Sequence, residues 1–279
     1  MELIQKSSEL KILLNKIKSK NKTIGFVPTM GALHSGHVSL IEKARSECDI
    51  VVCSIFVNPT QFNEQSDLDK YPRTLEADSA LIESLCDYLF VPESVEEIYG
   101  ANITLQEFDF GGIEKELEGE FRPGHFQGMA NVVSILLNMV EADNAYFGLK
   151  DYQQFKIVEK LTQLIQLDTK IVGCPIIRET NGLARSSRNE LLTEKAREAA
   201  AIIHFSLRYI ELFHPFFEIQ EIQKKAKQMI QGILEVEYLE IRDAENLGLI
   251  SDWNNQNGVF VSFAGTIEGV RLIDNICFF

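Results

Sequence analysis

Two histidines three residues apart, His34 and His37, are the first residues in the chain whose types and spacing point to chemistry. Imidazoles at that spacing lie on one side of a helix, so both can contact one ligand. Gly31 and Gly36 lie beside them, where a backbone without Cβ atoms can approach a ligand closely. Such a pair also arises by chance or as half of a metal site, but a metal site needs further ligands at fixed spacing, and the sequence offers none nearby.

The elements around the pair are predicted to position it. Residues 23–27 are rich in β-branched and aromatic side chains, and residues 38–48 carry apolar side chains at helical spacing. We therefore expect a strand, a tight loop and a helix, with Ser35 as the helix N-cap. The exposed N–H groups and positive dipole end of that helix favour an anion such as phosphate.

Two amides follow the next predicted strand. Residues 49–57 form a nearly continuous apolar run, which is typical of a parallel strand buried on both faces. Asn58 and Gln61 come directly after it, and ligands of open parallel sheets bind outside the carboxyl ends of strands. Both amides are therefore candidates for substrate contact, and a simple Asn-Pro turn is the alternative.

Three later segments suit anion contact in the same way. Residues 118–128 are dense in turn residues and include Arg122, and Lys150 and Asp151 lie at a strand-to-helix junction. Residues 178–189 combine three arginines, two serines and a glycine, a composition that suits a triphosphate cradle. The alternatives are an ordinary helix-entry loop for residues 118–128, a place for Asp151 in the first helical turn, where the dipole favours an acid, and a solvated loop for residues 178–189.

The order of elements predicts an α/β fold. We expect a Rossmann-like parallel sheet in a catalytic domain over residues 1–177 and a smaller α+β domain over residues 178–279. Further predictions are a strand near Ile103, one long helix over residues 193–212, and a helix that buries Phe155, Val158, Leu161 and Leu164.

Composition narrows the class of protein. The chain has 279 residues, 45% of them hydrophobic, which is ordinary for a soluble globular protein. Its net charge of −14 argues against nonspecific binding to nucleic acid or to an anionic membrane. No apolar run reaches membrane-spanning length, and no signal-peptide pattern is present. Five widely spaced cysteines indicate reduced thiols, so we expect a cytoplasmic protein.

Residues 28–37, Pro-Thr-Met-Gly-Ala-Leu-His-Ser-Gly-His, resemble the signature of the pantothenate synthetase family, a branch of the class I nucleotidyltransferase superfamily. Further segments resemble the family in the family's order: residues 54–62, 71–73, 122–128, 148–154, 182–189 and 271–275. Some positions depart from it. Arg185 stands where the family usually has Met, Ala142 where Pro is common, and Asn131 and Ile135 where Thr and Lys are usual.

The resemblance implies an ATP-dependent condensation of (R)-pantoate with β-alanine, through a pantoyl adenylate, with release of AMP and pyrophosphate. It implies catalytic contacts from His34, His37, Lys150 and Arg188. Further ATP contacts would come from neighbouring residues of the same segments: Met30, Gly31, Ala32, Leu33, Ser35, Gly36, Gly148, Leu149, Asp151, Ile177, Arg185, Ser186 and Ser187.

The substrate contacts implied by the resemblance are Gln61 and Gln154, with Asn58 and Arg122 as additional candidates. Mg²⁺ would arrive with ATP, and at most Asp78 or Asp151 would add a protein ligand. A homodimer is also implied. Two alternatives stay open at this point: a nucleotidyltransferase with another acceptor, and a nucleotide-binding regulatory protein without turnover.

Overall fold

The computed structural model describes residues 1–62, 68–69 and 71–279, and these residues divide into two compact units. The first comprises Met1–Leu149 and Gln153–Pro175, and the second comprises Lys150–Tyr152 and Ile176–Phe279. The assignment of residues 1–177 and 178–279 to separate functional domains stays a prediction.

The first unit is built on a parallel sheet. Among the described residues this sheet has six strands: β1 (Glu2–Ile4), β2 (Ile24–Thr29), β3 (Ile50–Ile55), β4 (Tyr88–Phe90), β5 (Asn144–Gly148) and β6 (Lys170–Cys174). Their order is β1-β4-β3-β2-β5-β6. The chain therefore reverses its winding direction between β2 and β5, and open α/β sheets bind ligands at such a switch point.

Helices follow the strands of this unit. They are α1 (Ser7–Lys18), α2 (Ser35–Glu47), α3 (Leu75–Ile82), α4 (Val95–Tyr99), α5 (Glu118–Phe121), α6 (His125–Val140) and α7 (Tyr152–Leu164). Helix α2 buries Leu40, Ile41 and Ala44 in a core shared with Val27 and Val51. Burial of an aliphatic side chain contributes about 1.5–3 kcal/mol, so this packing fixes where α2 begins relative to the end of β2.

The second unit has a different architecture. Helices α8 (Glu194–Ala199), α9 (Ile202–Phe213) and α10 (Ile219–Ile230) precede an antiparallel sheet of β7 (Glu235–Asp243), β8 (Val259–Ile267) and β9 (Val270–Phe278). Apolar residues of α9 and α10, among them Leu207 and Ile222, form one core with Val261 and Phe263 of the sheet. The predicted fold class, a parallel α/β sheet followed by a smaller α+β region, is confirmed.

Three local predictions are wrong. The chain near Ile103 forms no strand in the described segment 93–112. The expected helix over residues 193–212 is two helices, because Ala201 and Ile203 donate to carbonyls three residues back rather than four. Alanine is the best helix former, so the sequence carries no signal for this break. The sequence reading also omitted strand β1, which is only three residues long.

The third error concerns helix α7. Two of the four predicted residues, Val158 and Leu161, are buried as expected, whereas Phe155 is half-buried and Leu164 is 49% exposed. The buried face also includes Gln153 and Ile157. Gln153 occupies a core position because its amide is fully engaged: it donates to the carbonyls of Ile113 and Glu116 and accepts from the Glu118 N–H. A pattern of apolar residues cannot reveal a polar side chain that is buried in this way.

No helix among the described residues is both long enough and apolar enough to cross a membrane.

Candidate active site

Helix α2 begins with a reciprocal cap formed by the two histidines. His34, and not Ser35 as predicted, is the N-cap: its Nδ1 accepts from the Gly36 N–H at 3.1 Å. His37 Nδ1 accepts from the His34 N–H at 3.3 Å, and the two rings lie 4.2 Å apart between centroids. Imidazoles thus fill the positions that Ser and Glu occupy in an ordinary capping box.

The cap determines which nitrogen of each ring carries the proton. A nitrogen that accepts a backbone N–H is unprotonated, so the neutral rings of His34 and His37 carry their protons on Nε2. Two Nε2–H donors are thereby held side by side at a helix N-terminus, which is an arrangement suited to an anion.

The Asp78 side chain anchors the loop between β2 and α2 by accepting hydrogen bonds from the loop backbone. Its carboxylate is 3% exposed and accepts from the N–H groups of Ala32 at 2.9 Å and Leu33 at 2.7 Å. Gly31 and Ala32 both have positive φ, and a Cβ on Gly31 would lie 3.2 Å from the Asp78 carboxylate. The tight loop therefore depends on a glycine and on a buried anion contributed by helix α3.

Asp78→Asn is expected to release this loop. An amide has one acceptor oxygen, so its NH₂ group would face one of the two N–H groups and leave it unsatisfied, at a cost of about 1–3 kcal/mol. We expect lower stability in urea and, for the ATP role that the resemblance implies, a higher KM for ATP that raising the Mg²⁺ concentration does not restore. Glu76→Gln, an exposed charge removal on the same helix, is the control and should leave both unchanged. Restoration by Mg²⁺ would instead indicate that Asp78 is a metal ligand.

The turn after β3 buries both predicted amides. Asn58 is 1% exposed, donates to Gln61 Oε1 and the Gly128 carbonyl, and accepts from Tyr99 Oη at 2.7 Å. Gln61 also donates from Nε2 to Met30 Sδ at 3.1 Å. Asn58 is thus committed to holding the turn, and Gln61 lies beside the loop that leads to α2.

The segment from Arg122 to Gly128 braces the same turn. His125 Nδ1 donates to the Gln61 carbonyl at 2.8 Å, so its Nε2 is the acceptor for Arg122 Nη1 at 3.4 Å. Gly128 packs directly on the turn, because a Cβ there would overlap the Thr60 carbonyl. The structure therefore gives this predicted anion segment a further role in positioning Gln61.

Lys150 belongs to the second unit. The Asn275 amide donates to the Lys150 carbonyl at 2.8 Å, and Tyr152 stacks on Phe260 and donates to the Ala244 carbonyl. The Lys150 ammonium is 3.8 Å from Asp151, whose side chain is 51% exposed. Gly148 and Leu149, which precede Lys150, belong to the first unit and are half-buried.

Two of the three arginines in the loop of residues 178–189 form ion pairs with carboxylates of the protein. Arg178 forms a bidentate pair with Asp274, at 2.6 and 3.0 Å, and Arg185 Nη1 lies 3.1 Å from Glu179. Arg188 is exposed and forms no ion pair with the described part of the chain. The three arginines are therefore not equivalent: of the three, Arg188 is the one with no carboxylate partner among the described residues, and the triphosphate cradle stays a prediction.

The Glu179 carboxylate accepts hydrogen bonds from Arg185 and Asn189 of this loop and from Arg197. Burial raises the pKa of its carboxyl, but hydrogen bonds from Arg197, Asn189 and Arg185 outweigh that effect and lower the pKa to about 2. The carboxylate therefore stabilises the fold at neutral pH, and this contribution is lost as pH falls from about 4.5 towards 2. Ser186 Oγ accepts from the Arg188 N–H and caps the following turn, and Ile177 accepts from the Arg185 N–H.

Several of these residues were missed by sequence reasoning. Tyr99, Gln153 and Asp274 have their partners 35 to 96 residues away, so no local pattern signals them. Gln154, the predicted pantoate contact, is half-buried and forms no hydrogen bond with the described residues. Those residues also hold no cluster of three His, Cys, Asp or Glu side chains able to bind a metal ion.

The parallel sheet with its winding reversal, and the two histidines capping the helix that follows β2, define the class of the protein: an open α/β sheet with a candidate anion site at the carboxyl end of β2. Comparison with known proteins is more specific. The family model for pantoate-beta-alanine ligase matches residues 2–277. The chain therefore belongs to the pantoate-β-alanine ligase family, and it is an enzyme of the ligase class.

Similar proteins cover the chain nearly end to end. The pantothenate synthetase of Azobacteroides pseudotrichonymphae is 46% identical and covers 100% of both chains, and that of Porphyromonas gingivalis is 45% identical over 99% of each. The crystal structure of pantothenate synthetase from Thermus thermophilus superposes with a TM-score of 0.91 at 38% identity, covering 99% of each chain. The Francisella tularensis pantoate-beta-alanine ligase, in complex with beta-gamma ATP and beta-alanine, gives a TM-score of 0.81 at 38% identity, covering 99% of this chain and 97% of that one.

Proposed function

We propose that the chain joins (R)-pantoate to β-alanine in two steps at the expense of ATP. The pantoate carboxylate attacks the α-phosphate, giving pantoyl adenylate and pyrophosphate, and the β-alanine amine then displaces AMP. A carboxylate is ionised at pH 7 and needs no general base, so the first step requires positioning and charge stabilisation. The observation that carries the proposal is the paired Nε2–H donors of His34 and His37 at the start of α2.

The first unit supplies these donors and the pantoate contacts. His34 and His37 donate to phosphate oxygens as charge develops in the transition state. The backbone from Met30 to Gly36 approaches the nucleotide, because Gly31 and the Asp78 anchor hold it in a tight loop. Gln61 and Gln154 bind pantoate. Asn58 supports Gln61 through its hydrogen bond to the Gln61 amide, and Arg122 supports it through His125.

A second group of residues is proposed to contact the β- and γ-phosphates. Lys150 and Arg188 provide positive charge, and Ser186 and Ser187 provide hydroxyl donors. Gly148, Leu149, Asp151 and Ile177 contribute backbone contacts to ATP. Arg185 stays a proposed ATP contact, although its guanidinium is paired with Glu179.

Mg²⁺ is proposed to enter with ATP, held by phosphate oxygens and water. The chain's carboxylates fit this role only weakly, since both Asp78 oxygens accept backbone N–H groups and Asp151 lies beside Lys150. The ion would neutralise charge on the leaving pyrophosphate.

We also propose a homodimer in the cytoplasm. All five cysteines are free thiols and four are buried, which suits a reducing compartment.

The test is pyrophosphate exchange without β-alanine. Purified protein is incubated with Mg-ATP, pantoate and labelled pyrophosphate, and label entering ATP is measured. We expect exchange that requires pantoate and is absent with β-alanine alone. Exchange with other carboxylates but not pantoate would overturn the assignment. Light scattering after size-exclusion chromatography tests the dimer.

A further inference from the structure

The segment that carries Ser186, Ser187 and Arg188 is anchored at both ends by one carboxylate. Glu179 accepts from Arg185 Nη1 at 3.1 Å on one side of the segment and from Asn189 Nδ2 at 2.7 Å on the other. Asn189 is fully buried and also donates to the Ala184 carbonyl. We call Glu179, Arg185, Asn189 and Arg197 the Glu179 clasp.

Arg197 fixes the clasp to the rest of the second unit. It donates to Glu179 from Nε at 2.7 Å and from Nη2 at 2.8 Å, and helix α8 on which it lies begins just after the loop. The Arg197 carbonyl accepts from the Asn181 amide, so the same helix holds the hairpin of residues 178–184. The Glu179 side chain is 12% exposed, so these hydrogen bonds are shielded from water.

From this geometry we propose that Glu179 is a positioning residue for ATP: its negative charge holds the segment Ser186–Arg188 in the conformation that receives the phosphates. The inference rests on the proposed function of that segment. Arg185 adds a tie in this chain at a position where the family usually has Met. Its guanidinium is paired with Glu179 in the structure, whereas Arg188 forms no ion pair with the described residues.

The direction in which Glu179→Gln changes ATP binding distinguishes a positioning role of Glu179 from simple charge repulsion. A carboxylate near a triphosphate repels it, so removing the charge should tighten ATP binding if Glu179 has no other role. If Glu179 positions the segment, Glu179→Gln removes the charge that holds Arg185 and Arg197, turns an NH₂ group towards one of the clasp's N–H donors, and weakens ATP binding despite the lost repulsion. We expect the KM for ATP to rise ~10- to 100-fold, the scale of misplaced binding groups, with the KM for pantoate little changed.

Two variants serve as controls. Glu190→Gln removes an exposed charge beside Arg197, 3.4 Å away, and outside the Glu179 carboxylate's own contacts. It should leave the KM for ATP unchanged or lower it. Arg185→Met removes one tie but keeps Arg197 and Asn189 on Glu179, so the KM for ATP should change less than in Glu179→Gln.

The measurements are pantoate-dependent pyrophosphate exchange, direct ATP binding by calorimetry and thermal unfolding, on all four proteins. A wild-type protein that is inactive with pantoate would count against the proposed function and not against the clasp. An active wild type with a Glu179→Gln variant that binds ATP as tightly or more tightly would overturn the positioning role. A variant with lower thermal stability but an unchanged KM for ATP would show a purely structural carboxylate.

Discussion

His37→Ala is expected to reduce pantoate-dependent pyrophosphate exchange by ~10²- to 10³-fold, the loss usually caused by removing one preorganised transition-state donor. The His37 ring is held by its Nδ1, which accepts from the His34 N–H, so Nε2–H is presented without a further ordering cost. The loss should fall mainly on kcat, because the donor is most valuable when charge develops at the phosphate. Exchange within threefold of wild type would contradict the assignment.

The neighbouring histidine allows the helix cap to be separated from the chemistry. His34→Asn keeps an acceptor for the Gly36 N–H, since Asn is a good N-cap, but it removes the Nε2–H donor. We expect near-native thermal stability with a large loss of exchange. Ser39→Ala is the matched control: it removes a hydroxyl that donates to the Gly36 carbonyl, one turn into α2, and should retain activity. If His34→Asn were as active as wild type, His34 would be a structural cap only.

Gly128→Ala is expected to weaken pantoate binding more than ATP binding. A Cβ at this position would overlap the Thr60 carbonyl and lie 2.9 Å from the Gln61 Cα, so either helix α6 or the turn must move. Overpacking of this kind costs about 1–3 kcal/mol of stability. The displaced Gln61 should raise the KM for pantoate by ~10-fold or more, with a smaller effect on ATP.

Gly124→Ala tests whether the effect of Gly128→Ala comes from steric overlap of the new Cβ or only from the loss of a glycine in this segment. Gly124 lies in the same segment with a φ of +80°, and a Cβ there meets no atom within 4 Å. Its replacement should cost about 1–2 kcal/mol of backbone strain, with no shift of Gln61. Urea denaturation and separate KM measurements for pantoate and ATP compare the two variants. An unchanged pantoate KM in Gly128→Ala would show that the turn absorbs the overlap without moving Gln61.

The sequence was sufficient to predict the parallel sheet. Apolar runs such as residues 49–57 predict buried strands because parallel sheets are covered on both faces, and β3 was found there. Local hydrogen-bonding logic also placed His34 and His37 at a helix start. The sequence-based prediction assigned the N-cap to Ser35 and not to His34, because Ser is the commoner N-cap residue. A cap formed by imidazoles depends on the positions of the two rings, which residue propensities do not describe.

What the sequence by itself determined was the order of strands and helices and the set of candidate site residues beside them, since strand and helix periodicity is local. Only the tertiary structure decided which polar residues support them. Asp78 reaches Ala32 across 46 residues, and Glu179 gathers Arg197 from 18 residues away. It also decided that Arg185 is paired with Glu179, whereas Arg188 has no carboxylate partner in the described part of the chain, although both look alike as loop cations. Such pairings follow from packing between elements far apart in sequence, and a buried carboxylate is stable there only when donors surround it.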